Sequence, residues 1–175
     1  MLLDEFNAAP RDAAAASLLT CAAVGSWAAT LADERPFPDR QALLRRAREL
    51  AADWTGDQLD EALADHPRIG ERHAAHGTTS ASAAASTREQ AGVGEDAEVR
   101  ARLADGNARY EQRFGRIYLV RAAGRSAEDM LALLEQRLGN DPATEVQVAA
   151  AQLAEIALLR LEHLIDPATT SEVRA

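Results

Sequence analysis

A chain of 175 residues is long enough for one domain with a real core, and at 47% apolar but only 4% aromatic it must build that core largely from alanine and leucine. A formal charge of −9 argues against nucleic acid or an anionic membrane surface as partner, since both require a basic face, although one arginine in a dry pocket can still hold a small anion. All 19 basic positions are arginine, so Schiff-base chemistry with pyridoxal phosphate and the lysine of a phosphate-binding loop are both excluded.

Alanine-rich, aromatic-poor sequence with few β-branched runs favours packed helices over sheets. A single cysteine, Cys21, in an alanine-rich stretch read as helical, allows no internal disulfide and is expected to be structural. Asp39 is placed to cap a helix whose apolar face uses Leu43, Leu44, Ala47, Leu50 and Trp54. Thr55 and Gln58 form a capping box for the next helix, through Leu59 and Leu63, and Pro67 requires that helix to stop near His66. The small residues from Gly77 to Ala85 read as a flexible loop. A helix is expected from about Asp96 to Phe114, with Val99, Leu103, Tyr110 and Phe114 at helical spacing. After Gly115 the run Ile117–Val120 reads as a buried extended connector. Ser126 with Asp129 opens a further helix that Gly139-Asn140 ends. Asp141-Pro142 then supplies a cap and a first-turn proline for a last long helix. The pattern predicts a single compact all-α domain of roughly seven to nine helices, its core about 6–165, followed by a tail at 167–175. The N-terminus lacks a signal-peptide pattern and no apolar run reaches about 18 residues, so the expectation is a cytoplasmic protein with no membrane partner.

Several residues stand out chemically. Leu153, Ile156, Ala157, Arg160 and Leu164 follow helical core spacing, which puts a guanidinium on an apolar stripe. Such a charge must be paired internally, snorkel to the surface, or face a cavity that takes an anion. His66 stands at a helix end, where a favourable dipole interaction would also explain it. His73 and His76 follow at intervals of seven and three residues, which match no tight zinc pattern, so no metal is expected. Ser86 and Glu89 are explained by a capping box alone, yet a helix start with an added amide at Gln90 would also suit an anion.

Taken together, His66-Pro67-Arg68-Ile69-Gly70, Ser86-Thr87-Arg88-Glu89-Gln90, Asn107-x-x-Tyr110-x-x-x-Phe114-Gly115, the helix with Arg160 and Arg35-Pro36-Phe37 resemble the OHCU decarboxylases. These are the 2-oxo-4-hydroxy-4-carboxy-5-ureidoimidazoline decarboxylases of urate degradation. The resemblance implies an all-α homodimer that needs no cofactor, acts on a small anionic ureidoimidazoline, yields (S)-allantoin, and associates functionally with other urate-pathway enzymes. It places the catalytic histidine on His66 and a catalytic carboxylate on Glu89. Substrate contacts would fall on Pro67, Ser86, Glu89, Gln90 and Arg160, and on the segment Tyr118, Leu119, Val120, Arg121 and Ala122. The chain departs from the family pattern at Arg116-Ile117, where an aromatic and a proline are usual, and at Arg121, where a small residue is usual. Two other classes remain open: a non-catalytic helical interaction module, with Arg160 ion-paired internally, and a metal-binding helical protein in which the histidines converge.

Overall fold

The computed structural model describes residues 1–64 and 97–165. Among them it contains eight helices and no strand: α1 (Leu3–Ala8), α2 (Arg11–Leu19), α3 (Gly25–Asp33), α4 (Arg40–Ala52), α5 (Gly56–Leu63), α6 (Ala97–Phe114), α7 (Ala127–Arg137) and α8 (Pro142–Leu164). The all-α expectation holds.

The starts of the later helices are written in local chemistry. The Asp39 carboxylate accepts from the Ala42 amide at 2.6 Å and opens α4. Thr55 and Gln58 close a reciprocal capping box before α5, and Ser126 and Asp129 do the same before α7. Asp141 accepts from the amides of Ala143 and Thr144, with Pro142 in the first turn of α8. Gly115, at φ 71°, ends α6 in the left-handed conformation that a Cβ would strain, and its amide donates to the Glu111 carbonyl at 2.9 Å.

Two apolar clusters result. The larger draws on α1–α5 and α8, with Phe6, Leu18, Trp27, Leu31, Leu43, Leu59, Leu153 and Leu161 at its centre. Helix α8 packs on α4 and α5, and α3 packs on both α2 and α4. Trp27 donates its indole N–H to the Ala47 carbonyl and meets Trp54 edge-on, with centroids 6.0 Å apart. Arginines stitch the chain's turns: Arg35 reaches the carbonyls of Phe6, Ala9 and Ala32, and Arg40 reaches those of Glu162 and Ile165. The Arg35-Pro36-Phe37 segment is thus a brace between α1 and α3, with Asn7 exchanging two hydrogen bonds with the Phe37 backbone.

The smaller cluster lies between α6, α7 and residues 118–122, and contains Leu103, Tyr110, Tyr118, Val120, Met130 and Leu134. Gly106 lets α6 and α7 approach: a Cβ there would lie 2.5 Å from Leu134 Cδ2.

One local expectation is corrected. Cys21 does not lie within a helix; α2 ends at Leu19 and Cys21 occupies the turn before α3, its amide donating to the Leu18 carbonyl. Alanine-rich composition favours helix only weakly, and burial of Cys21, Ala22 and Val24 decides the turn.

Candidate functional site

Arg160 is where the stripe placed it, on the buried face of α8 beside Ile156, Ala157 and Leu161, at 7% exposure. It crosses the core to the turn after α2, with Nη1 3.5 Å from the Cys21 carbonyl oxygen. Burial pushes the neighbouring Cys21 thiol up to about 11, so that side chain is a neutral wall of this region.

The connector between α6 and α7 is extended and buried, as its sequence predicts. Its side chains alternate in the manner of a strand: Leu119 enters the larger cluster, while Tyr118, Val120 and Ala122 enter the smaller. Arg121 points the way Leu119 does, toward α8, where it lies 3.1 Å from the Glu155 carboxylate with its side chain 38% exposed. The Arg121 amide donates to Gln152 Oε1 at 3.0 Å, and Arg125 donates to the Arg121 carbonyl. With Tyr118, Leu119, Val120 and Ala122 turned into the two clusters and Arg121 paired with Glu155, the connector offers a ligand chiefly its backbone groups.

Arg116, one of the departures from the family pattern, makes a two-pronged pair with Asp60 of α5 at 2.9 and 3.1 Å. It therefore ties the start of the connector to α5. A cleft of about 350 Å³ opens beside this pair, lined by Asp60, Leu63, Ala64, Glu111, Gly115, Arg116 and Ile117. Two carboxylates against one already paired guanidinium make it a poor place for an anion.

Sequence reasoning gave no part to a third group. Arg137 and Glu145 are buried at 5% and 1% exposure, with Nη2 and Oε1 2.5 Å apart. Arg137 also donates through Nη1 to the Leu119 carbonyl at 2.7 Å, and through Nη2 to the Tyr110 hydroxyl at 3.1 Å. The Tyr110 hydroxyl in turn donates to Glu145. Burial lowers the guanidinium's affinity for its proton, but the Glu145 hydrogen bond and the facing tyrosines outweigh it, so Arg137 stays charged. Burial raises Tyr110 above its ordinary value and pushes Tyr118 up to about 12, so both are neutral donors. The stripe test that flags Arg160 would have found this pair as well. Glu145 precedes Ala149, Leu153 and Ile156 on the same face of α8, and Arg137 follows Met130 and Leu134 on α7.

Arg160 thus lies on the buried face of α8, and the segment Tyr118–Ala122 meets α8 through Arg121, which contacts Gln152 and Glu155. His66, Pro67, Ser86, Glu89 and Gln90 lie outside the described residues, as do His73, His76, the Gly77–Ala85 segment and the 167–175 tail. Among the described residues no three histidine, cysteine or acidic side chains come together as a metal site, and no helix is long and apolar enough to cross a membrane.

Comparison with known proteins agrees with this fold. The profile of the OHCU decarboxylase family matches residues 7–162. A 2-oxo-4-hydroxy-4-carboxy-5-ureidoimidazoline decarboxylase of Amia calva is 39% identical over 79 residues, 45% of this chain and 45% of that protein. The uric acid degradation bifunctional protein TTL of Arabidopsis thaliana is 27% identical over 151 residues, which are 82% of this chain and 45% of the relative. The chain therefore spans less than half the length of each of these two relatives. A crystal structure of an OHCU decarboxylase in the presence of (S)-allantoin superposes with a TM-score of 0.68 at 26% identity, covering 82% of this chain and 93% of that one. A crystal structure of (S)-allantoin synthase shares the fold, with a TM-score of 0.69 at 18% identity over 95% of this chain and 55% of the other. With a family profile spanning nearly the whole chain, and the same helical frame in a solved member, this chain belongs to the OHCU decarboxylase family.

Proposed function

We propose that this chain decarboxylates 2-oxo-4-hydroxy-4-carboxy-5-ureidoimidazoline to (S)-allantoin without a cofactor. The observation that carries the reading is a buried arginine, Arg160, on the core face of the last helix of a chain matched by the family profile over residues 7–162. The solved relative crystallised in the presence of (S)-allantoin supports the same product.

The substrate carries its carboxylate next to a carbon–nitrogen double bond. When the bond to the carboxylate breaks, its electron pair moves toward the adjacent imine carbon and nitrogen, so the ring itself is the electron sink. Arg160 holds the anion and sets the scissile bond perpendicular to the ring, where overlap with the imine is greatest. The former imine nitrogen takes a proton from water as CO₂ leaves. His66, hydrogen-bonded to the ring hydroxyl, then takes up the hydroxyl proton as the carbonyl forms and relays a proton to the former imine carbon. Glu89 and Ser86 fix the ureido arm, Gln90 reads the amide edge, Pro67 shapes the wall beside His66, and backbone groups of Tyr118–Ala122 line the opposite side. Protonation from one face gives one enantiomer. A positioned acid–base group contributes about 10²–10⁴-fold, and orientation in a dry pocket supplies the remainder. We also infer that the protein is a cytoplasmic homodimer working beside other urate-pathway enzymes. The relative described as a bifunctional protein of uric acid degradation supports that association.

The test is to generate the substrate freshly from urate and follow its loss by circular dichroism. Spontaneous decay gives racemic allantoin, so an enantiomeric excess supports the reading, and racemic product at the uncatalysed rate defeats it. Glu89→Gln then separates two roles of that residue. Glutamine can still close the capping box, so a purely structural Glu89 would leave activity intact. A carboxylate acting on substrate would make the same change cut kcat/KM by about 10²-fold or more.

A further inference from the structure

Arg137 and Glu145 form a buried ion pair that the proposed chemistry does not use. A buried pair contributes little net stability relative to well-packed apolar residues of similar size, so stability does not explain its presence. Its geometry does. Glu145 Oε1 receives Arg137 Nε at 2.7 Å and Nη2 at 2.5 Å, and the second carboxylate oxygen receives Asn140 Nδ2 at 2.8 Å. The Tyr110 hydroxyl closes the triangle between the two charges. The guanidinium stacks against the Tyr118 ring, 4.9 Å from its centroid. Held on that edge, Arg137 aims Nη1 outward at one backbone atom, the Leu119 carbonyl oxygen, at 2.7 Å.

A peptide unit is rigid and trans, so fixing the Leu119 carbonyl also fixes the Val120 N–H, which points to the opposite side of the same plane. Among the described residues nothing accepts a hydrogen bond from that N–H. We propose that Arg137, oriented by Glu145 and Tyr110, is a positioning residue for substrate binding: by gripping the Leu119 carbonyl it sets the direction of the Val120 N–H as a donor to the ureidoimidazoline. This rests on the reading above, in which the backbone of Tyr118–Ala122 touches the substrate. A lysine could serve Glu145 or the Leu119 carbonyl as a point charge, but it lacks the planar fork that serves both.

The experiment compares Arg137→Lys, Tyr110→Phe and Leu31→Ala, each assayed with fresh substrate well below its own Tm. Leu31 is fully buried on α3 in the larger cluster and takes no part in the Arg137–Glu145–Tyr110 hydrogen bonds, so it serves as a control for destabilisation alone. Arg137→Lys should raise KM about tenfold and lower the enantiomeric excess, since small misplacement of a binding group is costly. Tyr110→Phe, which keeps the ring and removes one hydroxyl, should move KM in the same direction by less. Leu31→Ala should lower Tm while leaving KM and enantiomeric excess unchanged. Wild-type KM and enantiomeric excess in Arg137→Lys overturn the proposal. If that variant does not fold, wild-type values in Tyr110→Phe overturn it instead. A rise in KM for Leu31→Ala as large as for Arg137→Lys also overturns it, because the effect would then be one of stability. Arg160→Gln distinguishes the two levels of the argument. If it stays active, the reading of the site fails and this inference falls with it. If it loses activity while Arg137→Lys and Tyr110→Phe keep their KM, the positioning role alone is wrong.

Discussion

The two clusters of this fold solve the same packing problem in different ways. The larger one, between α1–α5 and α8, is apolar and redundant: many leucines, alanines and two tryptophans share the burial, and no single contact dictates the arrangement. The smaller one, between α6, α7 and the connector, has fewer apolar side chains and is organised around a charged pair and two tyrosine hydroxyls. Hydrophobic burial is non-directional and tolerates small shifts, whereas a guanidinium with fixed donors accepts one geometry. The connector proposed to touch the substrate runs between the two clusters but takes its register from the second. Both also meet on α8, whose buried stripe carries Glu145 at one end and Arg160 at the other, about 22 Å apart at 1.5 Å per residue.

The largest effect expected from this contrast is at the ion pair. Arg137→Met alone leaves Glu145 buried without its cation and should cost about 3–5 kcal/mol. Adding Glu145→Leu should recover most of that loss, because an apolar pair of similar volume can replace a buried salt bridge at little net cost. Urea unfolding of the two single variants and the double variant measures the coupling. Additive losses would show that the pair does not act as a unit. The double variant should fold yet bind substrate poorly, a separation that no truncation in the larger cluster should reproduce.

Alkaline pH probes both clusters at once. Cys21 in the larger cluster is raised by burial from 9.0 to about 11, and Tyr118 in the smaller from 10.0 to about 12, with Tyr110 raised in the same sense. Each group releases its proton at lower pH in the unfolded chain than in the folded one. The stability they contribute is therefore complete below about pH 9 and declines as pH rises through the folded values. Tm should fall progressively above about pH 9, and Cys21→Ala should remove the earliest part of that decline. These are the chain's only cysteine and its only two tyrosines. Tyrosinate absorbance should accordingly report the smaller cluster alone, and its appearance in folded protein near the ordinary tyrosine value would contradict the buried assignment.

Much of this organisation is legible in the sequence because its signals are local. Asp39, Thr55–Gln58, Ser126–Asp129 and Asp141-Pro142 each satisfy amides within a few residues of themselves, and all four open helices where the spacing places them. Arg160 is legible because nothing local accounts for a guanidinium on an apolar stripe. Glu145 and Arg137 are harder to see for the opposite reason. Glu145 lies in the first turn of α8 and Arg137 in the last turn of α7, where the helix dipole already explains an acid and a base. A sufficient local account draws attention away from the stripe spacing that also marks both residues as buried. Cys21 fails differently: helix propensity amounts to tenths of a kcal/mol per residue, and the burial of neighbouring side chains overrides it. Arg116 departs from the family pattern without disturbing the connector, because Asp60 of α5 is placed to receive it. The roles of His66, Pro67, Ser86, Glu89 and Gln90 rest on the family pattern, since these residues fall outside the described chain.

The smallest expected effect tests whether the larger cluster is as redundant as its composition suggests. At the start of α5 the Thr55 hydroxyl accepts from the Gln58 amide at 3.3 Å, and Gln58 Oε1 accepts from the Thr55 amide at 2.9 Å. Gln58 Nε2 then reaches Ser26 Oγ of α3 at 2.7 Å, so one side chain serves both the cap and a link between helices. Thr55→Ala should cost about 1 kcal/mol, and Thr55→Ser only a few tenths, since serine caps as well as threonine. Gln58→Ala loses the other half of the box together with the Ser26 link and should cost somewhat more than Thr55→Ala. The two changes share one motif, so the double variant should lose less than the sum of the singles. Urea midpoints with an unchanged slope measure these losses. A loss of several kcal/mol from Thr55→Ala would mean that the start of α5 is an indispensable joint of the larger cluster. The contrast between a redundant cluster and a pinned one would then fail.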